Sequence, residues 1–422
     1  MTNAAPRPLP DAAIEQIHSS APARLSITRI AITNFRSYAA AEFETGPEPV
    51  VLLGHNGVGK TNLLEAISLL SPGTGLRRAA YSELARLGGA GDWAVAARVS
   101  TPAGAIEIGT GQRADARSES ARQGRIVRID GQEASAGALA EYVDMVWLTP
   151  AMDGLFTGPA SERRRFLDRL VLCFDKGHGT TSARFERAVR QRNRLLEDGA
   201  RNPAQFDGLE IQIAETGVAI AAARLSAVAA LSAMGEQRLA RDPSSPFPWF
   251  GLELEGTLET ELATAPAVDV EDHYRERLAQ TRERDRGAGR MLEGPHRSDL
   301  LVTHGPKSMP ARLSSTGEQK ALLMGLVLAH AGLIAERAGL ASGPAPEREN
   351  RGAAPILLLD EIAAHFDDSR RAALFKEILA LGAQAWMTGT DAGAFAALRG
   401  KARFANVGEG RIGYFEGRPD RA

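Results

Sequence analysis

Residues Leu25 to Phe43, LSITRIAITNFRSYAAAEF, alternate apolar and polar positions. That period predicts one or two half-buried strands joined near Asn34 to Ser37. PVVLLG, Pro49 to Gly54, is instead a continuous apolar run ending in glycine, the pattern of a strand covered on both faces. Asn62 to Leu70 reads as a helix stopped by Ser71, Pro72 and Gly73. Between Asp92 and Asp130, the stretches WAVAARVS, AIEIGT and GRIVRID predict meander strands, and MVWLTP, Met145 to Pro150, predicts another short buried strand. The pattern changes after Pro150. From Ser161 to about Leu239 it is helical, in two long runs broken near Asp198 to Pro203, the first rich in Arg and the second in Ala. Two long helices with a polar turn between them predict an antiparallel hairpin. A short strand, GLELEG, and a charged helix from about Asp269 to Arg290 follow. ILLLDE (Ile356 to Glu361) and AQAWMTGT (Ala383 to Thr390) supply two more buried strands.

This order predicts an α/β core interrupted by a mainly helical insertion. The expected divisions are a tail at 1–23, a first core segment at 24–150, the inserted domain at 151–290 and a second core segment at 291–417. A length of 422 residues fits one large domain carrying an insertion, or two lobes. The Ala/Pro-biased start, MTNAAPRPLPDAA, lacks the charged and apolar regions of a secretory signal and predicts a disordered lead. No run reaches the roughly 20 apolar residues of a membrane span. The single cysteine, Cys173, cannot pair within the chain and suits a reducing cytoplasm. A net charge of −2 does not fit a protein that coats nucleic acid uniformly, so any DNA contact must come from local patches.

The chemistry concentrates in two of the buried strands. Gly54-His55-Asn56-Gly57-Val58-Gly59-Lys60-Thr61 fits G-x-x-x-x-G-K-[ST], with a strand before it and a helix opening at Asn62 after it. The glycines let backbone N–H groups turn toward phosphates, and the helix N-terminus adds positive potential. Lys60 is expected to reach the β- and γ-phosphates of ATP, and Thr61 to place its hydroxyl on Mg2+. ILLLDE puts Asp360 at the carboxyl end of a strand, where open α/β sheets bind ligands. Asp360 is the expected magnesium partner and Glu361 the expected general base. Alone, ILLLDE is also an ordinary strand ending in acids at a surface loop.

LSSTGEQKALLMGLVLAH, Leu313 to His330, opens a long apolar helix, and Ser315 and Glu318 have the spacing of a capping box. The segment Ser315-Thr316-Gly317-Glu318, shortly before the ILLLDE strand, is also similar to the signature motif of ABC-type ATPases. In those proteins this helix start caps the γ-phosphate held by a second subunit, so the resemblance implies an ATP-dependent homodimer.

A more specific resemblance is carried by TNFRSY (33–38), GHNGVGKTNLLEAI (54–67), GLRRA (75–79), GPASERRRFLD (158–168), EGPHRSDL (293–300), LSSTGEQKALL and LLLDEIAAHFD (357–367). In this order they resemble the RecF family of recombination mediators, related to SMC and Rad50 heads, from about residue 25 to 415. The resemblance implies an ABC-type, Rad50-head-like P-loop core with an antiparallel β subdomain and a short helical hairpin. It places Asn34, Arg36 and Ser37 near the nucleotide, Asn56 toward the γ-phosphate, and Asp367 at the dimer interface, where Asp367 also reads as a helix N-cap. It implies a weak, DNA-stimulated ATPase working with RecO and RecR to load RecA at single-strand gaps. Two departures stand out. Thr388 to Asp391 (TGTD) occupies the place of the ABC switch histidine, which leaves γ-phosphate sensing to Thr390 or another group. No Q-loop glutamine follows MVWLT. GPHRSDL itself reads only as a loop held close to the core.

Arg77 and Arg78 follow the first helix, Arg163, Arg164 and Arg165 open the insertion, and Arg184, Arg187, Arg190, Arg192 and Arg194 lie on its first long helix. Arg190 and Arg194 share a face with Arg187 beside them. Such a face can neutralise phosphates without reading bases, though it also fits a solvated helix with internal ion pairs. Aromatics are 5% of the chain, so backbone contact with duplex, or a duplex–single-strand junction, is expected over base stacking. The competing functions are an SMC-type head that tethers DNA and the nucleotide subunit of a transporter. An arm of roughly 35 residues spans only about 50 Å, short for a tether, and the missing Q-loop and histidine weigh against a transporter.

Overall fold

Strand β3 (Val50–Leu53) is buried at all four positions, and its alternate residues enter two different hydrophobic cores. Val51 and Leu53 face one; Val50 and Leu52 face the other. Strand β12 (Ile356–Leu359) does the same, with Leu357 and Leu359 on the first side and Ile356 and Leu358 on the second. Both runs read as uniformly apolar because neither face of their sheet meets water. In this computed structural model the described residues are 24–114, 124–340, 353–362 and 366–414. The expected N-terminal tail lies outside them.

The central sheet runs β15-β14-β3-β13-β12-β8, with β8 at Met145–Leu148, β13 at Ala385–Gly389, β14 at Arg403–Gly408 and β15 at Arg411–Tyr414. Its strands are parallel except for β15. One face carries helix α1 (Lys60–Ser68) and a second, six-stranded antiparallel sheet, β2-β1-β4-β5-β6-β7. In that sheet β1 (Ser26–Phe35) and β2 (Tyr38–Glu44) form the expected hairpin, and β4 (Trp93–Thr101), β5 (Gly104–Gln112), β6 (Ile126–Ile129) and β7 (Gln132–Ala134) form the meander.

The other face is covered by helices. They are α2 (Ala160–Leu172), the C-terminal half of α4 (Ala204–Arg241), α8 (Thr316–Leu340) and α9 (Asp368–Leu381). Helices α3 (His178–Glu197) and α4 form the hairpin, broken where Gly199 takes a left-handed conformation at φ 74°. At 1.5 Å per residue, the 38 residues of α4 reach about 57 Å, most of it packed on other elements. By length and hydropathy α4 and α8 would pass as membrane spans, against the sequence expectation, but α8 is mostly buried in the core and α4 packs along α3.

The inserted segment is less separate than its boundaries suggest. Strand β9 (Phe250–Glu255) pairs with β10 (Asp299–His304), which pairs with β11 (Met309–Pro310). Ala227, Leu231 and Met234 of α4 belong to the same core as β3 and β12. Only the outer part has a core of its own, where Phe185 and Ile213 meet Leu258 of α5 (Thr257–Leu262) and Tyr274 of α6 (Ala267–Gln280). A short α7 (Arg282–Ala288) closes it.

Candidate nucleotide-binding site

The loop from Gly54 to Gly59 leaves β3 and enters α1 with left-handed φ values at Gly54 (155°), Gly57 (83°) and Gly59 (112°). A side chain is excluded at two of these by close approach as well as by φ. A Cβ at Gly54 would stand 2.4 Å from the Val407 carbonyl oxygen, and one at Gly59 would stand 2.7 Å from the Ser37 hydroxyl. Gly57 faces open space, and His55 and Asn56 beside it are exposed. Tyr38 Oη donates to the Gly59 carbonyl at 2.9 Å and fixes the turn into α1.

Lys60 is buried, and its Nζ donates to the Gly54 and His55 carbonyls at 2.6 and 2.9 Å. Burial pulls its ammonium below the ordinary lysine value, while Glu361 and Asp360 pull it back up. That opposition places both acids within electrostatic reach of Lys60. Thr61 Oγ1 donates to Asp360 Oδ1 at 3.1 Å. The register explains the meeting: β13 lies between β3 and β12, and all three parallel strands deliver their carboxyl ends to one edge. Glu361 follows Asp360 in the left-handed region at φ 53°, a conformation that costs a non-glycine residue about 1 kcal/mol.

Asn34 and Arg36 also take left-handed φ values, 50° and 52°, in the turn between β1 and β2. Arg36 grips Glu65 of α1 through two nitrogens at 2.8 and 2.9 Å, Ser37 Oγ accepts from Asn62 Nδ2 at 2.9 Å, and Asn34 Nδ2 donates to Asp92. Arg36 and Ser37 therefore border α1, with Ser37 against the P-loop's last glycine, while Asn34 is turned to Asp92 ahead of β4. Arg77 donates to Asn62 and pairs with Glu65, and Arg78 pairs with Glu162. Sequence reasoning missed Glu65 and Tyr38. A charged residue inside LLEAI, an otherwise apolar helix face, was the available signal that a buried partner exists.

The signature residues lie at the exposed start of α8. The capping box forms in altered form: the Ser315 amide and hydroxyl both donate to Glu318 Oε2, at 3.0 and 2.9 Å. Lys307 pairs with the other carboxylate oxygen at 2.6 Å. Lys307 and then the Ser315 amide hold the Glu318 carboxyl down to about 2. Ser315, Thr316 and Gly317 stay exposed, and Arg370 of α9 comes within van der Waals distance of where a Gly317 Cβ would stand. Asp367 is the N-cap of α9, accepting from the Arg370 amide at 2.8 Å. In the Q-loop position, Asp153 pairs with Lys320 of α8 at 2.9 Å.

The arginines divide. Arg187, Arg190 and Arg194 are exposed along α3. Arg192 is fully buried between Glu210 and Asp285, which removes it from any solvent face. Arg163 binds Asp299 through two nitrogens at 2.7 Å each, Arg164 donates to the Ser298 carbonyl, and Arg165 pairs with Glu162. Arg224 of α4 donates to the Pro295 carbonyl and the Ser298 hydroxyl. These bonds give the GPHRSDL loop its role in the fold, as the junction of α2, α4 and β10.

The sequence matches the family described as RecF/RecN/SMC N terminal domain over residues 26–401. A Mesorhizobium japonicum protein named DNA replication and repair protein RecF is 55% identical over 393 residues, covering 93% of this chain and 98% of its own. The chain belongs to the RecF family. A Brucella suis RecF of the same name is 52% identical, covering 93% and 97% of the two chains. The fold resembles that of a recombination mediator RecF solved with an ATP analogue, at TM-score 0.76 and 21% identity over 93% and 99% of the chains. It also resembles an SMC head from Pyrococcus furiosus, at TM-score 0.50 and 15% identity over 93% and 96%.

The RecF-family site offers hard oxygen donors, Thr61 Oγ1 and Asp360, at one strand edge. They fit Mg2+, which favours such ligands and keeps several waters and phosphate oxygens. Among the described residues no cluster of three His, Cys, Asp or Glu could hold a metal.

Proposed function

We propose that this RecF-family chain is a DNA-binding ATPase switch in recombinational repair, and that ATP with Mg2+ joins two copies head to head. The observation that supports the proposal is an exposed signature segment that leaves its own chain's phosphate loop uncapped. The P-loop, Thr61, Asp360 and Glu361 converge at the sheet edge, while Ser315, Thr316 and Gly317 make an exposed helix start with no hydrogen bond to them among the described residues. A second copy supplies that helix start to the γ-phosphate. Bound Mg2+ supplies charge neutralisation on the β- and γ-phosphates. Lys60 stabilises the same charge from the loop, and Glu361 orients and deprotonates the attacking water.

The hydrolysis is slow and DNA-stimulated, and it releases the dimer from DNA. The exposed face of Arg187, Arg190 and Arg194 meets duplex phosphates, at a gap junction rather than on bare single strand. RecO and RecR are the partners in this reading, RecA loading the outcome and the cytoplasm the place. The relatives' shared name and the near-complete coverage of their length support it. ATP-dependent binding to gapped, duplex and single-stranded DNA across salt concentrations tests it. Tighter binding with ATP, steeply salt-dependent and strongest on gapped duplex, is expected; binding indifferent to ATP contradicts it.

A further inference from the structure

Thr388 is fully buried at the carboxyl end of β13, the strand between the P-loop strand β3 and the Asp360 strand β12. Its side chain points to the α1 side, as does that of Asp360, because each lies two residues beyond a residue of that core, Trp386 and Leu358. The Thr388 hydroxyl makes two bonds. It lies 2.8 Å from Asp360 Oδ1, and the Glu361 amide lies 2.7 Å from it. Chemistry fixes both directions. An amide N–H can only donate, so Thr388 Oγ1 accepts from Glu361. An ionised carboxylate can only accept, so the single hydroxyl proton goes to Asp360.

We propose that Thr388 is a positioning residue for hydrolysis, a one-atom clamp that sets Asp360 and Glu361 together. It acts on both acids at once. On Asp360 it occupies Oδ1 alongside Thr61, which fixes the carboxylate's rotation. On Glu361 it anchors the amide of a residue held in the left-handed region at φ 53°. A non-glycine residue keeps that conformation only when its surroundings enforce it. Without the hydroxyl, the Glu361 amide loses its acceptor and the backbone relaxes toward negative φ, carrying the carboxylate away from the attacking water. Thr388 is thereby the group that fills the place left by the switch histidine, but from beneath the acids rather than by touching phosphate. Thr390, the sequence-based choice, is instead exposed just beyond the end of β13.

This inference rests on the ATPase reading above, and the test separates the two. Thr388→Val keeps the shape and removes the hydroxyl; Thr388→Ser keeps the hydroxyl. Wild type and both variants are compared for kcat, for affinity toward a fluorescent ATP analogue with and without Mg2+, and for lifetime of the ATP-bound dimer. Thr388→Val is expected to lower kcat by about 10- to 100-fold, leave Mg2+-free nucleotide affinity within about threefold, and lengthen the dimer lifetime. Thr388→Ser is expected to restore turnover and lifetime together. Wild-type turnover in a folded Thr388→Val protein overturns the clamp. So does a fall in nucleotide affinity that accounts for the whole loss, or a Thr388→Ser protein as slow as Thr388→Val. A wild-type protein that neither binds nor hydrolyses ATP overturns the ATPase reading instead.

Discussion

The Thr61 hydroxyl lies 3.1 Å from Asp360 Oδ1 across 299 residues of chain. The parallel register of β3, β13 and β12 makes this contact, and with Lys60 it creates one charged edge in an otherwise apolar sheet.

Removing the cation at that edge tests its purpose. Lys60→Ala is expected to weaken ATP binding by at least about tenfold, or about 1.4 kcal/mol, and to abolish the ATP-dependent dimer. Titration with a fluorescent nucleotide reads the first and light scattering the second. Lys60 is buried and donates to two loop carbonyls, so its loss also costs some local stability, and circular dichroism checks that the variant stays folded.

The signature helix start should matter only to a second copy. Ser315→Arg is expected to leave nucleotide affinity of the monomer within about threefold while preventing dimerisation and lowering ATPase turnover. Equal loss of monomer affinity would mean that Ser315 serves its own chain's site.

The bidentate Arg163–Asp299 pair holds the GPHRSDL junction with little exposure, 13% and 21% for the two side chains. Arg163→Ala leaves Asp299 without its partner and is expected to destabilise the fold by roughly 2–4 kcal/mol, read by urea unfolding. Arg190→Ala, at an exposed position on α3 where the side chain pairs only with Glu186 one turn back, at 3.6 Å, is expected to change stability by less than about 0.5 kcal/mol yet to weaken DNA binding and flatten its salt dependence.

His330 is fully buried on α8, with Nε2 donating to the Leu170 carbonyl at 3.0 Å. Burial pulls its pKa down to about 4, so the folded chain holds it neutral where the unfolded chain protonates it. The stability it contributes is complete above pH about 6.5 and declines as pH falls from there toward 4. Near pH 4.5 the loss should be on the order of 2–3 kcal/mol. His296 is pulled down to about 4 by burial as well, so His330→Gln is expected to reduce that part of a melting-temperature profile against pH without abolishing it; an unchanged profile would exclude a contribution from His330.

Much of this was legible in the residue pattern for identifiable reasons. β3 and β12 are buried on both faces, so their sequences are uniformly apolar, and the acids and glycines that end them stand out. The α3–α4 break at 198–203 was legible because a polar, Gly- and Pro-containing stretch interrupts two helical periods. The extent of the insertion was not. Ala227, Leu231 and Met234 are apolar whichever core they enter, and only the pairing of β9 with β10 shows which. Arg192 and Arg190 look alike in a run of arginines, yet one is sealed against Glu210 and Asp285, residues 18 and 93 positions away. Thr388 was overlooked for Thr390 because the sequence shows which threonine ends the strand but not which one turns toward Asp360.

The most direct test is the mass of the purified protein by light scattering, with Mg2+ and either ATP or no nucleotide. The account predicts 44.9 kDa without nucleotide and twice that with ATP, reverting as ATP is hydrolysed, with Lys60→Ala and Ser315→Arg remaining monomeric. A chain that binds ATP tightly and stays at 44.9 kDa, or a dimer indifferent to nucleotide, would contradict the composite site.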